Sequence, residues 1–288
     1  MNVAHEPGEL EPAERAVAIG TFDGVHRGHR AVLETAAASG LRSTVVTFDP
    51  HPRKVLGYDV QLLSTLERRL ELFAETGVDE ALVVRFTPEL SRLEPEEFVR
   101  GVLDPLGARA VFAGEGFRFG AGRRGSLETL RRLGLEVHAV PLVEGVSSST
   151  IRELLRKGDV RAAAGLLGRP AEIEGVVVTG DRRGGTLGFP TANVSPEPDL
   201  LVPGYGIYAG EARGHRIALS VGVNPHYGGS ERRVEAFLLD FEGDLYGQRL
   251  RLELWERLRD ERAFASEDEL VRQIAEDVAA TRRATRPA

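Results

Sequence analysis

Cysteine is absent from this sequence, which removes disulfides, thiolate nucleophiles and sulfur-bound zinc together. The absence leaves the redox compartment undecided. Lysine is almost missing as well: Lys54 and Lys157 are the two among 37 basic residues. Positive contacts therefore come mainly from planar, multi-donor guanidiniums, although genomic composition bias gives the same ratio. No apolar run approaches the roughly 20 residues that cross a bilayer. The amino terminus, MNVAHEPGELEPAERAVAIG, lacks the basic start and apolar stretch of an export signal. A soluble, cytoplasmic protein with no membrane partner is the expectation. A net charge of -7 and the want of a basic stripe interleaved with aromatics argue against a nucleic-acid partner. Phosphate ligands stay open, because a site responds to its local field. Oligomeric state is not fixed by these features, and a monomer satisfies them.

What is present is a globular composition, 42% hydrophobic and 28% charged, in 288 residues. That is enough for one large core or two ordinary ones. After a polar leader, RAVAIG reads as a short buried strand and GHRAVLETAAASGL as a helix closed near Gly40. RSTVVTFDP, DEALVVRF, ARAVFAG and LEVHAVPLV read as further strands. TLERRLELFAETG, SRLEPEEFVRGVLDPLG and SLETLRRLGL supply helical stretches between them. This alternation predicts a parallel sheet covered on both faces, with ligands beyond the carboxyl ends of its strands. STIRELLRKGDVRAAAGLLG reads as one helix, after which the pattern changes. AEIEGVVVTGDRRGG, GYGIYAGEARGHRIALSVGV and RRVEAFLLDFEGDLYGQRLRLELWERL are strand-rich and broken by glycines, predicting an antiparallel barrel or sandwich. A last helix opens with the capping-box spacing of Ser266 and Glu269. The boundary falls in or just after residues 158–171, giving domains 1–165 and 166–288.

The stretch AVAIGTFDGVHRGHRAVL sets two histidines three positions apart among glycines. Gly20 and Gly24 permit close backbone approach, and Gly28 leaves space between the imidazoles. A helix starting near Arg27 or Gly28 turns its free amides toward the same space. His26 and His29 then both donate to phosphate oxygens, where charge accumulates in a transition state. Zinc is the weaker reading, because Asp23 and Asp49 are the nearby candidates for further ligands. The same pattern also accommodates histidines that cap the helix or a histidine that acts as a nucleophile.

GEGFRFGAGRRGS places Arg118, Arg123 and Arg124 among five glycines, a turn able to wrap a nucleotide or simply a solvated loop. VSSSTIRELL puts hydroxyls and Arg152 at a helix start, suited to the outer phosphates of ATP or to capping. Together these features predict transfer between phosphates without a protein nucleophile. In the second half, TGDRRGGTLGFPTANV lacks the lysine of a P-loop. Its amides can still cradle phosphate, with Thr191 and Asn193 as oxygen ligands to Mg²⁺. Period-two alternation in RVEAFLLDF places Glu235, Phe237 and Leu239 on one largely apolar face. A carboxylate there is either a general base or the partner of a buried arginine such as Arg216 or Arg249.

These motifs in this order resemble the bifunctional riboflavin kinase/FAD synthetases of bacteria, from about Val17 to the last helix. GTFDGVHRGH, TFDPHP, FRFG and VSSSTIR resemble the adenylyltransferase half; LGFPTAN, PGYGIYAG, SVGVNP, VEAFLLDF and LYG resemble the kinase half. The resemblance implies an α/β nucleotidyltransferase-type (Rossmann-like) domain that joins FMN to ATP, giving FAD and pyrophosphate. A six-stranded antiparallel riboflavin kinase β-barrel with a C-terminal helix would follow, phosphorylating the ribityl hydroxyl of riboflavin from ATP. It implies His26 and His29 as catalytic groups at the α-phosphorus. Gly20, Phe22, Asp23, Gly24, Gly28, Gly114, Phe117, Arg118, Phe119, Ser147, Ser148, Ser149 and Arg152 would bind substrates, with Pro50 and Pro52 beside the flavin. In the kinase half it implies Gly188, Pro190, Thr191 and Asn193 as binding residues, the last two holding Mg²⁺, and Glu235 as catalytic base.

Three departures stand out. Gly116 occupies the place before the FRFG phenylalanine where the family usually has Asn or Asp, so a side-chain contact is missing. Ser149 replaces a usual Thr, keeping the hydroxyl and losing a methyl group. Pro225–His226 replaces a common Pro–Thr pair. Three rival readings stand beside this one: riboflavin kinase alone with a degenerate first half, a nucleotidyltransferase for another phosphorylated acceptor, and a non-catalytic nucleotide or RNA binder, against which the acidic balance counts.

Overall fold

The computed structural model describes residues 1–179, 189–223 and 232–287. The chain divides into two compact units, one of residues 1–60 and 66–147, the other of residues 61–65 and 148–288.

In the first unit, β1 (Asn2–Ala4), β2 (Arg15–Ile19), β3 (Arg42–Asp49), β4 (Glu80–Arg85), β5 (Ala108–Gly114) and β6 (Glu136–Val140) form one sheet. Its order is β1-β4-β3-β2-β5-β6, and every pairing is parallel. Helices α1 (Arg27–Ala37), α2 (Pro52–Val55) and α3 (Leu66–Ala74) precede β4. Short helices α4 (Pro95–Phe98) and α5 (Asp104–Leu106), joined by a π-helical turn Val99–Leu103, precede β5, and α6 (Leu127–Arg132) precedes β6. All five residues of β2 are buried, as a strand covered on both faces requires. One apolar cluster runs through Val17, Ile19, Val46 and Leu82, the other through Ala16, Ala18, Val45 and Phe73. Odd and even positions of β2 thus feed opposite cores.

The polar leader, to which the sequence reading assigned no element, is partly structured. Asn2–Ala4 is the edge strand β1, paired with β4, and Ala4 and Leu10 are buried. A three-residue strand is too short for periodicity to reveal. The stretch read as one helix from 149 to 168 is two, α7 (Ser148–Arg156) and α8 (Val160–Leu167). Gly158 at φ +79° breaks it, and the Asp159 carboxylate then caps α8 through the Ala162 N–H, 3.0 Å away.

In the second unit, β7 (Ala171–Val178), β8 (Ala192–Pro196), β9 (Gly206–Ala212), β10 (His215–Val223), β11 (Arg232–Leu238) and β12 (Arg249–Arg259) close into a barrel of order β10-β11-β8-β7-β12-β9. Every pairing is antiparallel, and closure decides for the barrel over the sandwich. Ile217, Leu219, Val221, Val234, Ala236 and Leu252 fill the core. At the end comes α9 (Glu267–Arg283), whose Ser266 cap accepts the Glu269 N–H. The Glu269 carboxylate reaches back to the Ala265 N–H instead of closing the expected box on Ser266.

Candidate active sites

In the first unit the strand order reverses at β2: the chain builds β3 and β4 on one side, then crosses to β5 and β6 on the other. Such a switch point opens a crevice at the carboxyl ends of the strands. Three motifs lie at those ends. GTFDGVHRGH follows β2, PHP follows β3, and the segment through Phe117–Phe119 follows β5.

The turn after β2 is tightly wound. Phe22, Gly24 and Val25 all have positive φ, at +51°, +78° and +37°, and a β-branched residue such as Val25 is rarely found there. The Val25 N–H closes the turn on the Phe22 carbonyl at 3.0 Å. A side chain at Gly20 would meet the Phe22 ring at 3.1 Å. His26 caps α1: its Nδ1 accepts the His29 N–H at 3.2 Å. The neutral ring therefore carries its proton on Nε2. Capping thus engages the Nδ1 edge of this imidazole.

The two rings are not spread apart by Gly28, as the sequence suggested. They stack, with centroids 3.5 Å apart and planes 17° from parallel, while Gly28 lies alongside the His26 ring. The spacing of three along one helical turn puts the side chains on the same face. In-plane lone pairs in two such parallel rings do not converge on one ion at the roughly 2.0–2.1 Å of a zinc–nitrogen bond. This geometry disfavours zinc. The Phe22 ring meets His29 edge-on at 5.2 Å, and His29 Nδ1 is buried with no hydrogen-bond partner. Burial, and then the His26 and Arg69 charges, hold the His29 imidazole well below its usual range. It is neutral at pH 7.

Pro50 is exposed after a cis Asp49–Pro50 bond, and Pro52 is the first residue of α2. His51, given no role from sequence, is buried and caps α2 through Nδ1, which accepts the Arg53 N–H. After β5, the Phe117 N–H turns back to the Gly114 carbonyl at 2.9 Å. Phe117 stacks on Phe119 at 5.6 Å. Phe119 is buried against Phe98 and packs tightly over Gly125, where an added Cβ would come within 2.7 Å of the ring. Arg118 and Gly116 are exposed. Leu142 and Val143, both exposed, border this region: Leu142 lies beside Gly114 and Val143 beside Gly28. Sequence reading passed over them as the tail of a strand.

In the barrel, Asn193 on β8 lies directly opposite Glu235 on β11, and Ser220 on β10 faces Glu235 from the other side. The face expected for Glu235 needs correction. Val234, Ala236 and Leu238 point into the core, so Glu235 and Phe237 share the outer face. Leu239 is buried in the turn beyond the strand. Apolar residues occupy both parities of RVEAFLLDF, and alternation alone could not choose between them. The partner of Glu235 is Arg233, at 3.5 Å between half-buried side chains. Arg216 instead donates to the Thr281 and Ala284 carbonyls, and Arg249 pairs with Glu197. Thr191 just precedes β8 at the parity of Asn193; Pro190 is exposed, and Phe189 meets Phe237 edge-on at 5.6 Å. Gly188 and His226 lie outside the described residues.

A family model of FAD synthetase matches residues 9–152, and one of riboflavin kinase matches residues 167–285. A bifunctional riboflavin kinase/FMN adenylyltransferase of Listeria monocytogenes is 35% identical, with 95% of this chain and 93% of that protein covered. One from Escherichia coli K12 is 37% identical, with 90% and 89% covered. The chain belongs to the bifunctional riboflavin kinase/FMN adenylyltransferase family. It is an ATP-dependent enzyme with both transferase activities. A solved structure from Streptococcus pneumoniae, described as a macrolide-efflux protein, has a TM-score of 0.89 at 29% identity and covers 98% of this chain and 99% of its own. Among the described residues here, no helix is long and apolar enough to cross a membrane.

The serine-rich motif straddles the division of the chain. Ser147 ends the first unit, while Ser148, Ser149 and Arg152 belong to α7 in the second. Arg152 is buried, with Nε donating to the Gln61 carbonyl at 2.6 Å. Arg69 is the further residue that sequence reading missed. It is buried on α3 and reaches the turn after β2. The one signal for it was an arginine on the apolar face of TLERRLELF, three residues after Leu66 and four before Phe73.

Proposed function

We propose that FMN adenylylation takes place at the carboxyl ends of β2, β3 and β5, and riboflavin phosphorylation on the outer face of β8 and β11, within functional halves 1–165 and 166–288. The stacked His26–His29 pair at the start of α1, His26 buried and His29 half-buried, carries the first assignment.

The attacking group in FAD formation is an FMN phosphate oxygen, and the leaving group is pyrophosphate. Both are already anions, so no protein nucleophile is needed. Catalysis reduces to holding the partners in line and stabilising charge on the α-phosphate. His26 offers the Nε2 edge of a ring fixed by its own helix cap. His29 adds a second imidazole, with the α1 dipole behind both. Gly20, Gly24 and Gly28 let phosphate approach the backbone, while Phe22 and Asp23 shape the turn. Ser147, Ser148, Ser149 and Arg152 take the outer phosphates. Gly114, Phe117, Arg118 and Phe119, with Pro50 and Pro52, border the substrates.

In the kinase half Glu235 takes the proton of the ribityl hydroxyl as the hydroxyl oxygen attacks the γ-phosphorus of ATP, whose bond to the bridging oxygen breaks to release ADP. Glu235, Asn193 and Thr191 present oxygen donors of the hard type that suits Mg²⁺. Among the described residues no group of three His, Cys, Asp or Glu could hold a metal by itself. Few protein ligands is the usual arrangement when nucleotide phosphates supply the rest. Thr191 and Asn193 would hold the ion, which neutralises phosphate charge when bound. Gly188 and Pro190 adjoin them in sequence. ATP, Mg²⁺, riboflavin, FMN and FAD are the small-molecule partners of this reading, in a cytoplasmic enzyme.

The test supplies purified protein with Mg²⁺ and ATP, gives riboflavin or FMN in parallel, and resolves the flavins by chromatography. Replacing His26 and His29 together by Asn stops FAD formation and leaves FMN formation intact. Equal loss of both products would refute separate sites. FMN without FAD from the wild-type chain would leave the kinase alone.

A further inference from the structure

We propose that Arg69 is a positioning residue for adenylyl transfer, tying the ends of β2 and β3 together behind the histidine pair; the inference rests on the reading of that pair given above. Arg69 is 2% exposed, although α3 is otherwise a plain amphipathic helix. Its Nη1 donates to the Thr21 carbonyl at 2.8 Å and approaches the Phe48 carbonyl at 3.5 Å. Nη2 lies 3.6 Å from the Asp49 carboxylate. Thr21 opens the turn that carries His26 and His29, whereas Phe48 and Asp49 end β3 immediately before Pro50. Nη1 thus serves the two carbonyls while Nη2 faces the Asp49 carboxylate, so one planar guanidinium engages both motifs through two nitrogens, where an ammonium has one.

Burying a guanidinium is costly unless its hydrogen bonds are met, yet Nε has no hydrogen-bond partner. Leucine at this position would fit the helix with less penalty. The arginine is thus better explained by its two strand ends than by core packing. It also places positive charge toward His29, adding to burial and to His26 in keeping that imidazole neutral. The groups facing Arg69 in return are Asp23 and Asp49 at the strand ends and Glu67 on its own helix.

The experiment uses the full chain with Arg69→Met and Arg69→Lys. FAD formation from FMN, FMN formation from riboflavin, and the titration of His29 by NMR are measured for each. In R69M, kcat for FAD formation falls about 100-fold, the scale of a small misplacement of reacting groups. Riboflavin phosphorylation stays within about twofold, since that reaction is assigned to the barrel of the second unit. His29 titrates at higher pH, because a neighbouring positive charge has gone. R69K keeps the charge and restores the His29 titration, but recovers only part of kcat, because a lysine has no second nitrogen to face Asp49 while its first meets the carbonyls. Wild-type kcat and His29 titration in R69M would overturn the proposal. So would full recovery of kcat by R69K. Should R69M fail to fold, R69K decides by the split between kcat and titration. A parallel His29→Asn variant separates two failures. If it still makes FAD, the reading of the histidine site falls and Arg69 with it; if it does not while R69M does, the Arg69 assignment alone falls.

Discussion

The imidazoles of His26 and His29 lie face to face, 3.5 Å between centroids, with the cap on α1 passing from one residue to the other. Two cations at that separation would repel strongly, and the low-pKa member is His29, held down first by burial. By NMR, His29 is expected to titrate well below the usual value of about 6.5. His26→Asn moves that titration up, since one repulsive partner is lost. Below about pH 6.5 the unfolded chain binds a proton at this position that the folded chain refuses, so stability declines as pH falls toward the folded value. Above that window the effect vanishes. His29→Asn should flatten this part of the stability profile, measured by denaturant unfolding at several pH values.

Which strand face carries Glu235 decides the second prediction. Directly opposite Asn193 and beside Arg233, it sits where a base can meet a substrate hydroxyl outside the barrel. Glu235→Gln is expected to lower kcat for riboflavin phosphorylation about 10²–10⁴-fold, the range of a lost general base. FAD formation from supplied FMN stays unchanged. Arg233→Met should alter barrel stability by less than about 1 kcal/mol, since a half-exposed ion pair contributes little. A kcat for E235Q within a few-fold of wild type would remove Glu235 as the base.

Motif order made both halves legible, because glycine, histidine and proline at strand ends impose local geometry that neighbours in sequence express. The parallel sheet was readable from alternating strands and helices. Barrel closure was not, since it depends on β9 meeting both β10 and β12, a pairing that no local pattern encodes. The contact between His26 and His29 was visible as spacing, but stacking depends on the χ angles that Phe22 and the helix cap select. Arg69 stayed hidden because its partners, Thr21 and Phe48, are carbonyls more than 20 residues away in sequence. Backbone acceptors leave no mark on residue type.

At the amino ends of the strands, away from the proposed chemistry, Arg15 is 2% exposed and donates from Nε to Glu80 at 2.8 Å. Its Nη1 donates to the Leu106 carbonyl, and Thr44 donates to the same Glu80 oxygen. Arg15→Met leaves the buried carboxylate without its main partner and should cost about 3–5 kcal/mol. The paired replacement Arg15→Met with Glu80→Met removes both charges and should recover most of that loss. Denaturant unfolding followed alongside FAD formation checks both, with riboflavin phosphorylation retained in each. An Arg15→Met variant as stable as wild type would show that the network is not needed.

Gly116 tests whether the segment after β5 touches substrate. The motif resemblance leads one to expect Asn or Asp here, and this chain has no side chain at all. Its backbone is outside the positive-φ region, and a Cβ built on it has no heavy atom within 4 Å. Asn can therefore be introduced without strain or displacement. If the position faces nucleotide or flavin, Gly116→Asn adds one hydrogen bond of about 0.5–1.5 kcal/mol. That corresponds to a roughly two- to tenfold lower KM for ATP or FMN in FAD formation, with kcat for riboflavin phosphorylation and the thermal midpoint unchanged. Steady-state kinetics with each substrate varied separately shows which one gains the contact. Unaltered KM for both would mean that the segment carrying Phe117 and Arg118 turns this residue away from the ligand, and that the missing side chain costs the adenylyltransferase nothing.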